Sequence, residues 1–136
     1  MTCWGDGMNR KVLLALFMLA TMSAPAAAQA DTCPSQGRQM ARTELFFGAG
    51  HVSAAQWRDF MAREVTPRFP YGLTVLEGYG QWMGPDGHIA KEKSRILLIW
   101  HGFDQGPKID AIRDAYKARF HQQSVMRADG EDCVSF

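Results

Sequence analysis

The sequence predicts an α+β domain of the ferredoxin-like kind: a split βαβ (βαββαβ) in which two helices cover one face of a four-stranded antiparallel sheet. Three observations predict it. Apolar residues recur at strand and helix spacings in the order strand, helix, strand, strand, helix, strand. The turn-forming string Gly84-Pro85-Asp86-Gly87 joins the middle two strands. The run Ile96–Trp100 (ILLIW) is apolar on both faces, which suits a strand inside a sheet rather than at its edge.

The N-terminus reads as an export signal. Arg10 and Lys11 form a short positive region, Val12–Ala20 an apolar core, and Ala28-Gln29-Ala30 offers small residues where a signal peptidase reads. The apolar run is too short to span a bilayer, which takes ~20 residues. Cleavage is expected after Ala30, with Met1 or Met8 as the start, and the destination is the periplasm or the exterior. A lipid anchor needs a cysteine directly after the cut, and Cys33 stands behind Asp31 and Thr32. What remains, residues 31–136, suffices for a single domain with one modest core.

Within it, Arg42–Gly48 (RTELFFG) alternates as a strand. Ser53 and Gln56 form a capping box, and Val52 ahead of the cap can staple onto Trp57. Trp57, Phe60, Met61 and Val65 line one helical face, and Pro67 ends the helix near Val65. Leu73–Met83 is the second strand and His88–His101 the third. A second helix over Lys108–Gln122 places Pro107 at its first turn and Ile109, Ile112, Tyr116 and Phe120 on one face. Ser124–Arg127 closes the sheet as a short fourth strand, and Cys133–Phe136 is a tail.

If Pro85-Asp86-Gly87 form the hairpin loop, Glu77 meets Arg95, Tyr79 meets Lys93 and Gln81 meets Lys91 on one face. Leu76 then meets Ile96, Gly80 meets Glu92 and Trp82 meets Ala90 on the other. A two-residue loop on Asp86-Gly87 would shift every partner by one. The pairing of opposite charges favours the first register.

Cys3 leaves with the signal, so Cys33 and Cys133 remain near the two ends of an exported domain. A structural disulfide is the expectation, set against a metal pair or a redox pair; there is no C-x-x-C. Taking Arg10 and Lys11 from fifteen basic residues, and Asp6 from fourteen acidic ones, leaves the two signs balanced. That argues against a nucleic-acid binder or a partner of anionic membrane.

Arg42-Thr43-Glu44-Leu45-Phe46-Phe47-Gly48, Val65-Thr66-Pro67-Arg68-Phe69-Pro70 leading into Gly72-Leu73-Thr74-Val75, Gly80-Gln81-Trp82, the Glu92–Ser94 stretch and Ser124-Val125-Met126 together resemble a known family. It is the group of secreted bacterial proteins catalogued as domain of unknown function thirty-five seventy-four. Where that family's pattern has Asp before Gly72, this chain has Tyr71. The resemblance spans almost all of the exported part. It implies export and a single domain, and brings no activity, cofactor or substrate.

The residues themselves offer few points of chemistry. His101, at the end of the third strand, has the ordinary titration range of a general base; a hydrogen-bonded or exposed strand-end histidine is the plainer reading. Glu92, opposite a glycine on the more apolar face, needs a partner or solvent. Tyr79 completes the acid–base candidates. Arg68, between aromatics in a proline-stiffened segment, could clamp a carboxylate or pair with Glu44 or Glu77. Glu44, Gln81 and Trp82 join it as candidate ligand-binding residues. His51 and His88 sit in turns. No histidine stands at metal-ligand spacing from His101, and no nucleophile elbow, Walker A loop or dinucleotide fingerprint occurs. No metal or cofactor is expected.

The leading expectation is therefore a non-enzymatic module that binds a small molecule or assembles with protein, as a homodimer covering the sheet's second face. The alternative is a small metal-free enzyme of the dimeric α/β-plait type, acting on a small organic molecule through His101, Glu92, Tyr79 and Arg68. A passive envelope protein without a pocket is the third reading.

Overall fold

The architecture follows from two strand patterns and two amphipathic helices, seen in a computed structural model that describes residues 33–136. The expected signal segment lies outside the described residues. Strands β1 (Arg38–Gly48), β2 (Thr74–Met83), β3 (Ile89–His101) and β4 (Met126–Val134) form one antiparallel sheet in the order β2-β3-β1-β4. The first and third strands are central, as the doubly apolar run in β3 requires.

In β1 the buried residues are Thr43, Leu45 and Phe47, and in β3 Leu97, Ile99 and His101. This period of two defines the covered face. Helix α1 (Ala54–Phe60) and helix α2 (Gly106–Phe120) close over it with Trp57, Phe60, Ile109, Ile112 and Tyr116. Phe47 is the hub. Its ring packs edge-on at 4.6 Å from Tyr116, 5.4 Å from Trp57 and 6.1 Å from Phe60, near the geometry that aromatic quadrupoles prefer.

Helix α1 begins as its sequence predicts: Ser53 accepts from the Gln56 N–H, while the Gln56 side chain accepts from the Ser53 N–H. It continues through a π-helical stretch, Met61–Val65, in which the Thr66 N–H reaches back five residues to the Met61 carbonyl at 2.9 Å. The wider turn delivers Val65 fully into the core just before Pro67. Helix α2 runs two residues ahead of the expected span at each end. It stops where His121 turns left-handed (φ 53°) and its N–H bonds back to Lys117.

The β2–β3 hairpin takes the register that pairs opposite charges: Glu77 with Arg95, Tyr79 with Lys93, Gly80 with Glu92. The three-residue loop is closed by the Gly84 N–H donating to the His88 carbonyl at 2.8 Å, with Gly87 at φ 76°, a conformation that glycine adopts without penalty.

The edge is where expectation and structure part. β4 is nine residues long rather than the predicted four, and β1 begins at Arg38 rather than Arg42. Arg38 pairs with Val134 and Gln39 with Cys133, so the segment expected as a tail is strand. Its hydrogen bonds come from a central strand and need no apolar alternation of its own. Cys33 and Cys133 form the expected disulfide, with Cα atoms 5.4 Å apart and 100 residues between them in sequence. Closing a loop of that length stabilises by up to about 4.7 kcal/mol in the chain-entropy account.

Among the described residues, no helix covers the second face. Phe46, Ile96 and Leu98 lie half-buried on it, and Leu76, Trp82, Trp100 and Met126 are exposed. Arg42, Glu44 and Asp132 stand beside them, Arg42 lying 3.6 Å from each carboxylate.

Candidate functional site

The candidates that the sequence offers do not converge; they divide between the two ends of the sheet. His101 and Glu92 are nine residues apart on one strand, a separation of ~30 Å. They cannot act on the same atom.

His101 lies at the covered end of β3, only 6% exposed. Its Nε2 is 2.9 Å from the Thr43 hydroxyl, its Nδ1 2.8 Å from the Gly102 carbonyl oxygen. Thr43 donates its single proton to the Asp129 carboxylate at 2.6 Å. Thr43 is thus placed against Nε2, while Nδ1 is turned to the Gly102 carbonyl. Both ring nitrogens are thereby engaged within the protein, and neither is free for a substrate. Burial pushes the Asp129 carboxyl up, but the hydrogen bonds from Thr43 and Arg127, with the Arg127 and His101 charges, hold it below the usual range. The whole is a structural bridge from β3 through β1 to β4.

Beside this bridge runs a cleft of about 780 Å³ lined by Arg68, Phe69, Tyr71, Trp100 and Lys108. Arg68 is already engaged: its guanidinium donates to the Glu64 carbonyl at 2.6 Å and to the Glu64 carboxylate at 2.9 Å. That partner sits one helical turn earlier, whereas the sequence pointed to Glu44 or Glu77. Glu44 instead faces Arg42 on the bare sheet face. Glu77 lies 3.6 Å from Arg95.

The other end is built around Glu92. Gly80 opposite it leaves open room on the bare face. On its other side the carboxylate rests on glycine. A Cβ on Gly48 would stand 2.8 Å from Glu92 Oε1 and 3.1 Å from Gln122 Oε1; one on Gly50 would stand 3.2 Å from Glu92 Oε2. Two acceptor oxygens thus flank the outward side of Gly48. None of the ion pairs among the described residues includes Glu92.

Glu92 is half-buried in a cleft of about 690 Å³, lined also by Phe46, Trp82, Gln122 and Ser124. Gln81, His51 and His121 reach its margin. Behind Gly48, Tyr116 donates its hydroxyl to the Gly48 carbonyl at 2.7 Å. Burial, opposed by the Arg95 charge and aided by that of Glu92, pushes this phenol up to about 12. The structure thus groups Glu92, Gln81 and Trp82. Tyr79, 83% exposed on the helix-bearing face opposite Lys93, lines a neighbouring cleft that Glu92 also borders.

Sequence reasoning missed Gln122, Gly48 and Gly50. The one available signal was Glu92 standing opposite Gly80 in the favoured register. Among the described residues, no three of His, Cys, Asp and Glu gather closely enough to hold a metal ion.

A search of curated protein sequences returns no match. Among solved structures, a phage SAM lyase in complex with S-methyl-5'-thioadenosine is similar, with TM-score 0.56 and 15% identity over 68% of this chain and 81% of that one. At that identity the likeness is one of fold. The strings from Arg42 to the C-terminal edge strand, which carry most of the lining of both clefts, fall within a family model matched over residues 42–136, and the chain belongs to that family, described as protein of unknown function (DUF3574).

Proposed function

We propose that the protein is an exported binding and assembly module whose bare sheet face packs against a second copy of the chain. The observation that carries this is the sheet itself, sealed by two helices on one face and, among the described residues, apolar but uncovered on the other. The strand order fits a ferredoxin-like plait, in which the second face is free to serve as an interface. Four strands at their usual spacing, over the eight residues paired between β1 and β3, outline ~27 by ~19 Å, or ~500 Å² in plan. With the relief of its side chains this approaches the ~800 Å² per partner of a standard interface.

The face also suits itself. Arg42 stands beside Glu44 and Asp132, so a two-fold pairing can set cation against carboxylate in both directions. Export fits the N-terminal charge and hydropathy pattern, and it fits the disulfide. The distance of His101 from Glu92 and Tyr79, at opposite ends of the sheet, favours binding over acid–base catalysis.

Native mass spectrometry of the protein recovered from the periplasm of an expressing bacterium tests the whole reading. The expected species is a dimer of chains that begin at Asp31, each two hydrogens lighter than its reduced form. Leu76→Glu, on the bare face, is expected to give a monomer with an unchanged circular dichroism spectrum. A wild-type protein that remains monomeric at micromolar concentration overturns the proposal.

A further inference from the structure

We infer that the Glu92 cleft is a binding site for a small organic cation: a primary ammonium group joined to a compact apolar body. The site lies at one end of the proposed dimer face, and rests on that reading only in placing a second copy over the rest of the face.

Glu92 is a carboxylate without an ionic partner among the described residues. A half-buried acid is normally held by an ion pair or several hydrogen bonds, because leaving water is costly for a charge. Arg42, Arg63, Arg68, Arg113, Arg119 and Arg127 all lie within ion-pair reach of acids elsewhere. Lys91 borders the same cleft, and Lys93 and Arg95 line the adjoining one, but none of the three forms an ion pair with Glu92: Arg95 lies 3.6 Å from Glu77, and strand alternation starts both lysines from the opposite face.

The backbone around Glu92 is shaped for access. Gly48 and Gly50 let the carboxylate lie flat against the chain, and Gly80 keeps the space across from it empty. A β-carbon at Gly48 would displace the acid outright. Gln122 brings a second acceptor to the same point. An ammonium group has three donors to satisfy, and these two side chains meet it from two directions. Phe46 and Trp82 supply apolar and π surface in the same cleft, which suits both a cation and the hydrocarbon attached to it.

The test uses 2-phenylethylamine, with 2-phenylethanol as its neutral isostere and phenylacetate as its anionic counterpart. Binding to the mature protein is followed by calorimetry at pH 7.5 and by Trp fluorescence. The amine is expected to bind, with the alcohol weaker by about tenfold or more, as loss of a charge-assisted contact implies, and phenylacetate weaker still. Glu92→Gln is expected to weaken the amine by about the same factor. Gly48→Ala should do likewise, by pushing the carboxylate aside; its clash is with the far end of a flexible side chain, so the fold survives.

Native mass is recorded in parallel. Amine binding lost in Glu92→Gln with the dimer intact supports the site. Equal affinity for amine and alcohol, unchanged binding in both variants, or no amine binding overturns it, whatever the oligomeric state. A monomer that still binds the amine through Glu92 overturns the dimer and leaves the site standing.

Discussion

Thr43→Val is the substitution whose cost the structure defines most narrowly. Valine nearly matches threonine in shape, so no cavity opens and the loss is that of the hydroxyl. That hydroxyl makes two contacts within the buried bridge: it donates to Asp129 at 2.6 Å and accepts from His101 at 2.9 Å. Thr43 itself is fully buried and His101 nearly so. A hydrogen bond is worth about 0.5–1.5 kcal/mol, and about 1.5–3 kcal/mol where its partner is charged, as Asp129 is. Asp129 keeps two contacts from Arg127, at 2.8 and 3.0 Å, so its share falls to the low end. A total of about 2–4 kcal/mol is expected.

Urea unfolding followed by circular dichroism measures it, with the slope unchanged and the midpoint lowered. Thr43→Ser keeps the hydroxyl and should lose only about 1 kcal/mol for its methyl group. The acid limb gives an independent check. Asp129 titrates lower folded than unfolded, so its contribution is present above the unfolded carboxylate range and vanishes as pH falls through the folded value. Thr43→Val should shrink that acid-dependent component. A valine variant as stable as wild type, with an unaltered acid limb, would refute the reading of the Thr43 hydroxyl as a buried bridge between His101 and Asp129.

Other predictions follow from single contacts. Phe47→Ala should cost about 3–5 kcal/mol, because its ring touches both helices; thermal melting would show whether it is the hub. Replacing Cys33 and Cys133 by serine should lower stability by up to about 4.7 kcal/mol, and peptide mapping without reductant should recover the two cysteines in one linked fragment. The Tyr116 phenol is raised to about 12 in the folded protein, against about 10 in an unfolded chain. Its contribution is therefore complete below pH 10 and lost as pH rises toward 12, a decline that Tyr116→Phe should remove from the alkaline limb.

The central strands, both helices and the hairpin were legible because each carries its own periodicity. In the hairpin, the Pro85-Asp86-Gly87 turn and three cross-strand pairs agreed on one register. β4 was not legible past Arg127. Ala128-Asp129-Gly130-Glu131-Asp132 has neither alternation nor strand propensity, and it is held by bonds to β1 that a local reading cannot see. The Thr43 bridge was hidden for a similar reason, since its partners lie 58 and 86 residues away. Arg68 is the opposite case: its partner Glu64 stands one turn upstream, nearer in sequence than the distant acids Glu44 and Glu77. Glu92 could be singled out because register alone placed it opposite a glycine. The glycines beneath it come from the end of β1 and the loop that follows, whose approach is set by packing.

The disulfide has a mechanical meaning as well as a thermodynamic one. It joins a residue just ahead of β1 to one near the end of β4, neighbouring strands at one edge of the sheet. Tension applied between residue 32 and residue 134 therefore runs through one covalent link and bypasses nearly the whole fold. The sheet that β1 and β4 share is shielded from shear, and both clefts keep their shape under load. Reduction exposes the strands to that force, so a protein that resists pulling when oxidised should unzip along β4 once the link is cut.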